Sequence, residues 1–194
     1  TDGMVAVFSG DVYTEDLDIV GIGNVIFDGD LNGTVNYYGD GVVTLADNMA
    51  ITGDVTNDTL TDGQGTLTLA GSGTVSGQTG SAGASLKDVN AGADTSSSSF
   101  SGDIYAQAMN ITGTGAVALG GNLNGVLSYD ADGAVTLADN RAIAGTVTND
   151  TLTDGQGTLT FAGSGTMWGE IGVADASLKA VNAGAAASSS LFSA

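Results

Sequence analysis

VTNDTLTDGQGTLT, residues Val55–Thr68, recurs letter for letter as Val147–Thr160, 92 positions further on. The correspondence runs outward without a gap. Phe8-Ser-Gly-Asp returns as Phe100-Ser-Gly-Asp, Leu31-Asn-Gly as Leu123-Asn-Gly, and Thr44-Leu-Ala-Asp-Asn as Thr136-Leu-Ala-Asp-Asn. Ser85-Leu-Lys returns as Ser177-Leu-Lys in the same register, and well over half of the positions from Phe8 onward are identical to their counterparts in the second copy. The chain divides into a lead or cap segment (1–10), a first repeat (11–102) and a second repeat (103–194). A long ungapped repeat marks an array whose units bury their apolar faces against one another.

Within each copy, short apolar alternations end in Gly, Asn or Asp. Val25-Ile-Phe27 is followed by Asp28-Gly-Asp, Val43-Thr-Leu45 by Ala46-Asp-Asn48, and Leu67-Thr-Leu69 by Ala70-Gly-Ser-Gly73. Period two puts Val43 and Leu45, or Leu67 and Leu69, on one face and Thr44, Thr66 and Thr68 on the other. Val and Thr favour strands, and the Gly-Asn-Asp clusters supply turns. Strand starts recur near Val25, Val43, Leu67, Val89 and Val117. Those steps suit one coil of a parallel β-solenoid. The expected fold is all-β: a continuous parallel β-solenoid, or β-helix, of two tandem repeats with about four rungs each. Five shorter rungs per repeat also fit. Val25, Phe27, Val43, Leu45, Leu67 and Leu69, with Val117, Leu119, Val135, Leu137, Leu159 and Phe161, should point into one core. A pair of β-sandwiches is the rival, weakened by short strands and a single Trp. Ala84–Ala91 reads as a helical turn or a strand, and the serine runs Ser96–Ser99 and Ser188–Ser190 read as loops between rungs.

Composition narrows the function. Three basic residues (Lys87, Arg141, Lys179) face 22 acidic ones, for a net charge of −19, while 42% of residues are hydrophobic. That apolar share separates the chain from disordered acidic segments. The charge argues against nucleic acid, whose phosphates must be neutralised by Lys and Arg, and against anionic lipid. No apolar run approaches the roughly 20 residues of a membrane helix, so no direct membrane insertion is expected. With no His and no Cys, Ser-His-Asp and Cys-His catalysis and imidazole or thiolate zinc sites are ruled out.

Carboxylates remain. Asp47, Asp58 and Asp62, with copies Asp139, Asp150 and Asp154, are the candidates for paired-carboxylate glycoside chemistry. Turn residues on a solvated face are the simpler reading, since an enzyme seldom needs its site twice on one short rod. Calcium wants several oxygens from carboxylates, amides and carbonyls, and Asn57, Asp58 and Asp62, repeated as Asn149, Asp150 and Asp154, cluster such oxygens in a turn. Neither the EF-hand loop nor the glycine-rich nonapeptide is present, so Asx-type turns are the plainer alternative and no other cofactor is implied. The sequons at Asn32, Asn57, Asn110 and Asn149 decide nothing in a chain this rich in Ser and Thr. Thr66-Leu-Thr68 lacks the rung-by-rung repetition of an ice-binding array.

Gly65–Gly80 (GTLTLAGSGTVSGQTG), Asn110–Gly125 (NITGTGAVALGGNLNG) and Asp132–Asn140 (DGAVTLADN) resemble the repeat regions of large bacterial surface proteins, in particular the repetitive passengers of autotransporter-type antigens such as those of rickettsiae. The resemblance implies an exported β-solenoid displayed at the cell surface, and it carries no catalytic residues. The membrane β-barrel of such proteins has no counterpart in these residues. The expected function is therefore a non-enzymatic, extracellular structural repeat forming a stalk, surface layer or filament. It would associate end to end with copies of itself or with further repeats of the same chain. An adhesin-type module for a host protein or glycan is the alternative, and a glycan-cleaving β-helix is disfavoured by the scarcity of basic residues.

Overall fold

A computed structural model describes residues 4–184 and 188–193, and among these it contains no α-helix. The strands follow one another around the coil. They are β1 (Val5–Phe8), β2 (Val12–Ile19), β3 (Asn24–Phe27), β4 (Leu31–Tyr37), β5 (Val42–Leu45), β6 (Met49–Ile51) and β7 (Val55–Asn57). Next come β8 (Thr66–Leu69), β9 (Gly73–Val75), β10 (Leu86–Ala91), β11 (Ser97–Phe100), β12 (Ile104–Ile111), β13 (Ala116–Leu119) and β14 (Leu123–Tyr129). The last seven are β15 (Ala134–Leu137), β16 (Arg141–Ala144), β17 (Val147–Asn149), β18 (Thr158–Phe161), β19 (Gly165–Trp168), β20 (Ala180–Asn182) and β21 (Ser190–Ser193).

All ladders between these strands are parallel, and each strand pairs with one a full coil away in sequence. One sheet runs β1-β3-β5-β8-β10-β12-β14-β16-β19-β21, with β17 also on β14. The other runs β2-β4-β6-β9-β11-β13-β15-β18-β20, with β7 also on β4. The fold is a parallel β-solenoid of about nine turns and about 20 residues per turn. At roughly 4.8 Å per level the rod is about 45 Å long.

The repeat and the coil do not share a period. β2 lies in the second sheet, but its copy β12 lies in the first; β4 and its copy β14 are divided in the same way. Four registered steps take Leu31 through Ile51, Val75 and Phe100 to Leu119, and its copy Leu123 lies just past the next corner, so one repeat makes four coils and one further side of the coil rather than four or five whole ones. The reason is visible in the column Val25, Val43, Leu67, Val89, where each residue is the registered neighbour of the next. The following member is Met109, a shorter step than the expected one to Val117. Val117 belongs to the opposite sheet, between Ser98 and Val135. Every repeated motif is therefore shown twice, on different sides of the rod.

The core is a single apolar column between the sheets. Phe27, Val43, Leu45, Leu67, Leu69, Val117, Leu119, Val135, Leu137, Leu159 and Phe161 are all buried in it, and Val25 packs against it partly exposed. Tyr37 and Tyr129 are buried with them, each donating its hydroxyl to a carbonyl, Thr66 O at 2.7 Å and Thr158 O at 2.9 Å. Gly65 and Gly157 lie flat on those rings at φ +80°, where an added Cβ would stand 2.5 Å from the ring Cγ. Polar side chains stack along the same ladders. Thr44, Thr68, Asn90, Asn110, Ser128 and Thr148 are successive neighbours along one sheet, and Asn110 Nδ2 donates to Asn90 Oδ1 at 2.9 Å.

Two local expectations change. Ser97–Phe100 is a strand and not a loop: Ser98 points inward between Gly73 and Val117 and donates its hydroxyl to Gly71 O. Ser190 likewise opens β21, in the later serine run. Ala84–Ala91 resolves to strand over Leu86–Ala91, with Leu86, Val89 and Ala91 buried.

Candidate functional site

The loops that follow β7 and β17 hold the residues singled out for calcium. Asn57 is buried at the base of its loop. Its Nδ2 donates to Thr61 O and Ser85 O, both at 2.7 Å, and its Oδ1 accepts from Thr59 N at 3.1 Å and Thr59 Oγ1 at 2.6 Å. Asn149 repeats the set with Thr153 O, Ser177 O and Thr151. The amide thus faces the loop carbonyls with its nitrogen, and its oxygen already has two donors. Asp62 turns toward the next coil, where its Oδ1 accepts from Ser85 N at 2.9 Å and Ser85 Oγ at 3.0 Å; Asp154 does the same with Ser177. The Ser N–H and then its hydroxyl hold both carboxyls below the usual range. Asp58 stands apart from both, beside Tyr38, and Asp150 accepts Ser128 Oγ at 2.9 Å. Each trio shares a loop, but its oxygens face different partners. Among the described residues no group of three or more carboxylates is gathered as a metal cluster.

The carboxylates considered for acid–base work have a common geometry. Asp47 and Asp139 accept the N–H of Ser72 and Ser164 at 2.7 Å. The same contact, from an aspartate to a backbone N–H one coil on, is made by Asp11, Asp30, Asp40, Asp54 and Asp94, and by Asp103 and Asp132. With Asp62 and Asp154 these are eleven aspartates, half of the 22 acidic residues. Side-chain acceptors for N–H groups at the corners satisfy donors that lie outside the strand ladders. The acidity of the chain is thus largely a property of how its coils are joined. Two lysines add to the corners: Lys87 pairs with Asp40 at 2.9 Å, and Lys179 with Asp132.

Asp16, Asp18 and Asp58 gather near the outward end of β4, and Asp88, Asp130 and Asp150 near that of its copy β14. Asn36 Nδ2 lies between Asp16 and Asp18 at 3.3 and 3.2 Å, and its Oδ1 accepts Thr56 Oγ1 at 2.9 Å. In the second copy Ser128 stands where Asn36 was, and the Oγ1 of Thr148, equivalent to Thr56, is left without a partner. Asp130 occupies the place of Tyr38. Desolvation raises its carboxyl above the usual range, the charges of Asp150 and Asp88 add to this, and the Ser128 hydroxyl opposes it.

A different feature carries no motif. Tyr105, Asn124, Ala144 and Trp168 are successive neighbours on one outer face, through β12, β14, β16 and β19. Two adjoining hollows, of about 180 and about 440 Å³, share Asn122, Ala142 and Trp168, and the larger also takes in Arg141. Trp168 and Arg141 are the only residues of their kinds in the chain. Their mark in the sequence is that they break the repeat, standing where the first copy has Ser76 and Met49.

These contacts define a parallel β-solenoid whose charged side chains are built into its coil-to-coil joints. No protein-family model, curated protein or solved structure matches the chain.

Proposed function

We propose that the chain is a non-enzymatic structural repeat: a stiff β-solenoid that spaces or coats a bacterial cell surface as part of a stalk, surface layer or filament. This reading follows the resemblance of its repeat to autotransporter passengers. The supporting observation is the placement of the acids. Half of them hold the N–H groups of the next coil, an arrangement that serves rigidity. One core runs through all the coils, so the rod resists bending as a unit.

Its main partner is more of itself. Among the described residues β1, β2, β20 and β21 each have a ladder neighbour on one side only, and an open strand edge recruits another strand. Further coils of the same polypeptide or a second copy fill that edge, and contacts of this head-to-tail kind extend into filaments. Repulsion between acidic flanks opposes lateral clumping until salt or divalent cations screen it. The role requires no cofactor, calcium acting at most on that screening.

Electron microscopy of the native polypeptide across concentration and calcium, with immunogold labelling of intact cells, tests the proposal. Surface label and rods that lengthen in whole units are expected. Compact monomers under every condition, or label confined to the cell interior, would end it.

A further inference from the structure

The second copy departs from the first in a way that builds something. Arg141 stands where copy one has Met49, Trp168 where it has Ser76, Asn122 where it has Asp30, and Ala144 where it has Thr52. The copies differ at positions all along the rod, but these four come together in the two adjoining hollows beside Tyr105. Together they add the only tryptophan and the only arginine, remove a carboxylate, and flatten the floor between two rings.

The scaffold does not require the changes. Asp30 Oδ1 accepts the N–H of Ala50 at 2.8 Å, and Asn122 Oδ1 accepts the N–H of the equivalent Ala142 at 2.9 Å. The joint is the same and only the charge differs. Arg141 is exposed and makes no ion pair among the described residues, whereas both lysines are paired. Trp168 is 52% exposed. Three ladder steps separate it from Tyr105, roughly 14 Å at the strand spacing, with Asn124 and Ala144 between.

We propose that this face binds a short acidic saccharide, one bearing a carboxylate on a sugar ring. The apolar C–H face of a sugar stacks on an accessible aromatic ring, and Trp168 and the half-buried Tyr105 supply two such rings at the two ends of a flat floor. The amide of Asn124 offers a donor and an acceptor to ring hydroxyls. Arg141 supplies the planar fork that recognises a carboxylate in two parallel hydrogen bonds. A protein partner is disfavoured by size, because a specific protein interface buries on the order of 1,000 Å² or more around an apolar centre, and this floor has only two rings. Charge favours an acid: on a rod of −19, Arg141 is the one guanidinium, it has no ion pair among the described residues, and Asn122 stands beside it where the first copy has a carboxylate. The site is independent of the rod's structural role.

The single tryptophan makes the test direct. Galacturonate oligomers titrated into the protein should shift Trp168 emission saturably, and galactose oligomers of equal length should bind at least tenfold more weakly. Arg141→Met, which installs the residue of copy one, should bring acidic oligomers down to the neutral level and leave neutral binding unchanged. Asp30→Asn, Met49→Arg, Thr52→Ala and Ser76→Trp together, in a Trp168→Ser background, should build the same preference on the equivalent face of the first copy, where Tyr13 and Asn32 already stand. Circular dichroism confirms that each variant is folded. Equal binding of acidic and neutral oligomers, no effect of Arg141→Met, or no binding to either oligomer would each overturn the assignment.

Discussion

Asn57→Asp changes one atom and separates two accounts of the loop after β7. If the loop were a calcium cage, a third carboxylate beside Asp58 and Asp62 would strengthen it. If the loop is held by the amide, the same change is damaging. Asn57 Nδ2 donates to Thr61 O and Ser85 O, each at 2.7 Å, from a side chain only 3% exposed. An ionised Asp is acceptor-only, so it sets an oxygen against two carbonyls. Two hydrogen bonds are lost, each worth about 1 kcal/mol, and an unpaired charge is left buried. Breaking a buried charged contact in this way costs about 3 to 5 kcal/mol. Asn57→Ala, which brings no charge, should cost about 2 kcal/mol. The copies lie more than four coils apart, beyond the range of direct coupling, so Asn149→Asp should add its own loss. Urea unfolding followed by circular dichroism reads this. With a slope of about 2 kcal/mol per molar, the midpoint falls by roughly 1.5 to 2.5 M. The loss should shrink in acid, because the buried carboxyl is raised above its unfolded value and its protonated form can donate to one carbonyl. An unchanged midpoint, or a variant that calcium stabilises beyond the wild type, would refute the hydrogen-bond account and restore the cation site.

Gly65→Ala and Gly157→Ala place a Cβ 2.5 Å from the Cγ of Tyr37 and Tyr129 at φ +80°, so each should cost about 3 kcal/mol from left-handed strain and overpacking together; a loss under about 1 kcal/mol in thermal unfolding would mean the rings move aside freely. Asp62 and Asp154 have depressed carboxyls, so their contribution is present above the ordinary Asp pKa of about 3.9 and is lost as pH falls through the lower folded value. Asp62→Asn with Asp154→Asn should flatten the stability profile below about pH 4, and an unaltered acid limb would count against these contacts. Asp130 has the opposite sign, since desolvation raises its pKa: Asp130→Asn should stabilise the fold at neutral pH and make no difference well below the unfolded pKa, as urea midpoints at the two pH values would read. Spin labels on cysteines placed at Leu60 and Leu152 test the part-coil. A repeat that ends one side further round puts these loops on different edges and their labels well beyond the roughly 19 Å at which a four-coil repeat would stack them on one edge.

The alternation of Val43 with Leu45 and of Leu67 with Leu69 is enough to specify strand, inward face and shared core, because the side-chain period of a strand is two whatever it pairs with. The repeat specifies an array, since a unit copied without gaps must make the same contacts twice. Neither can count the coils. That depends on how many residues each corner takes, and corners here vary from the short Ser9–Asp11 to the long segment between β9 and β10. Only the pairing of Val89 with Met109 shows that the repeat closes part of a turn beyond four. Ser98 defeats the loop reading for a related reason: its composition suits a loop, and it points inward only because Gly73 and Val117 set its register. The oxygens of Asn57 and Asp62 are legible in the sequence, but which atom faces which carbonyl is not, because an amide presents a donor and an acceptor from nearly the same place. Trp168 and Arg141 stand out as breaks in the repeat. That they meet Tyr105, far earlier in the chain than Trp168, follows from stacking alone, because a solenoid brings together residues separated by whole coils and only the register says which.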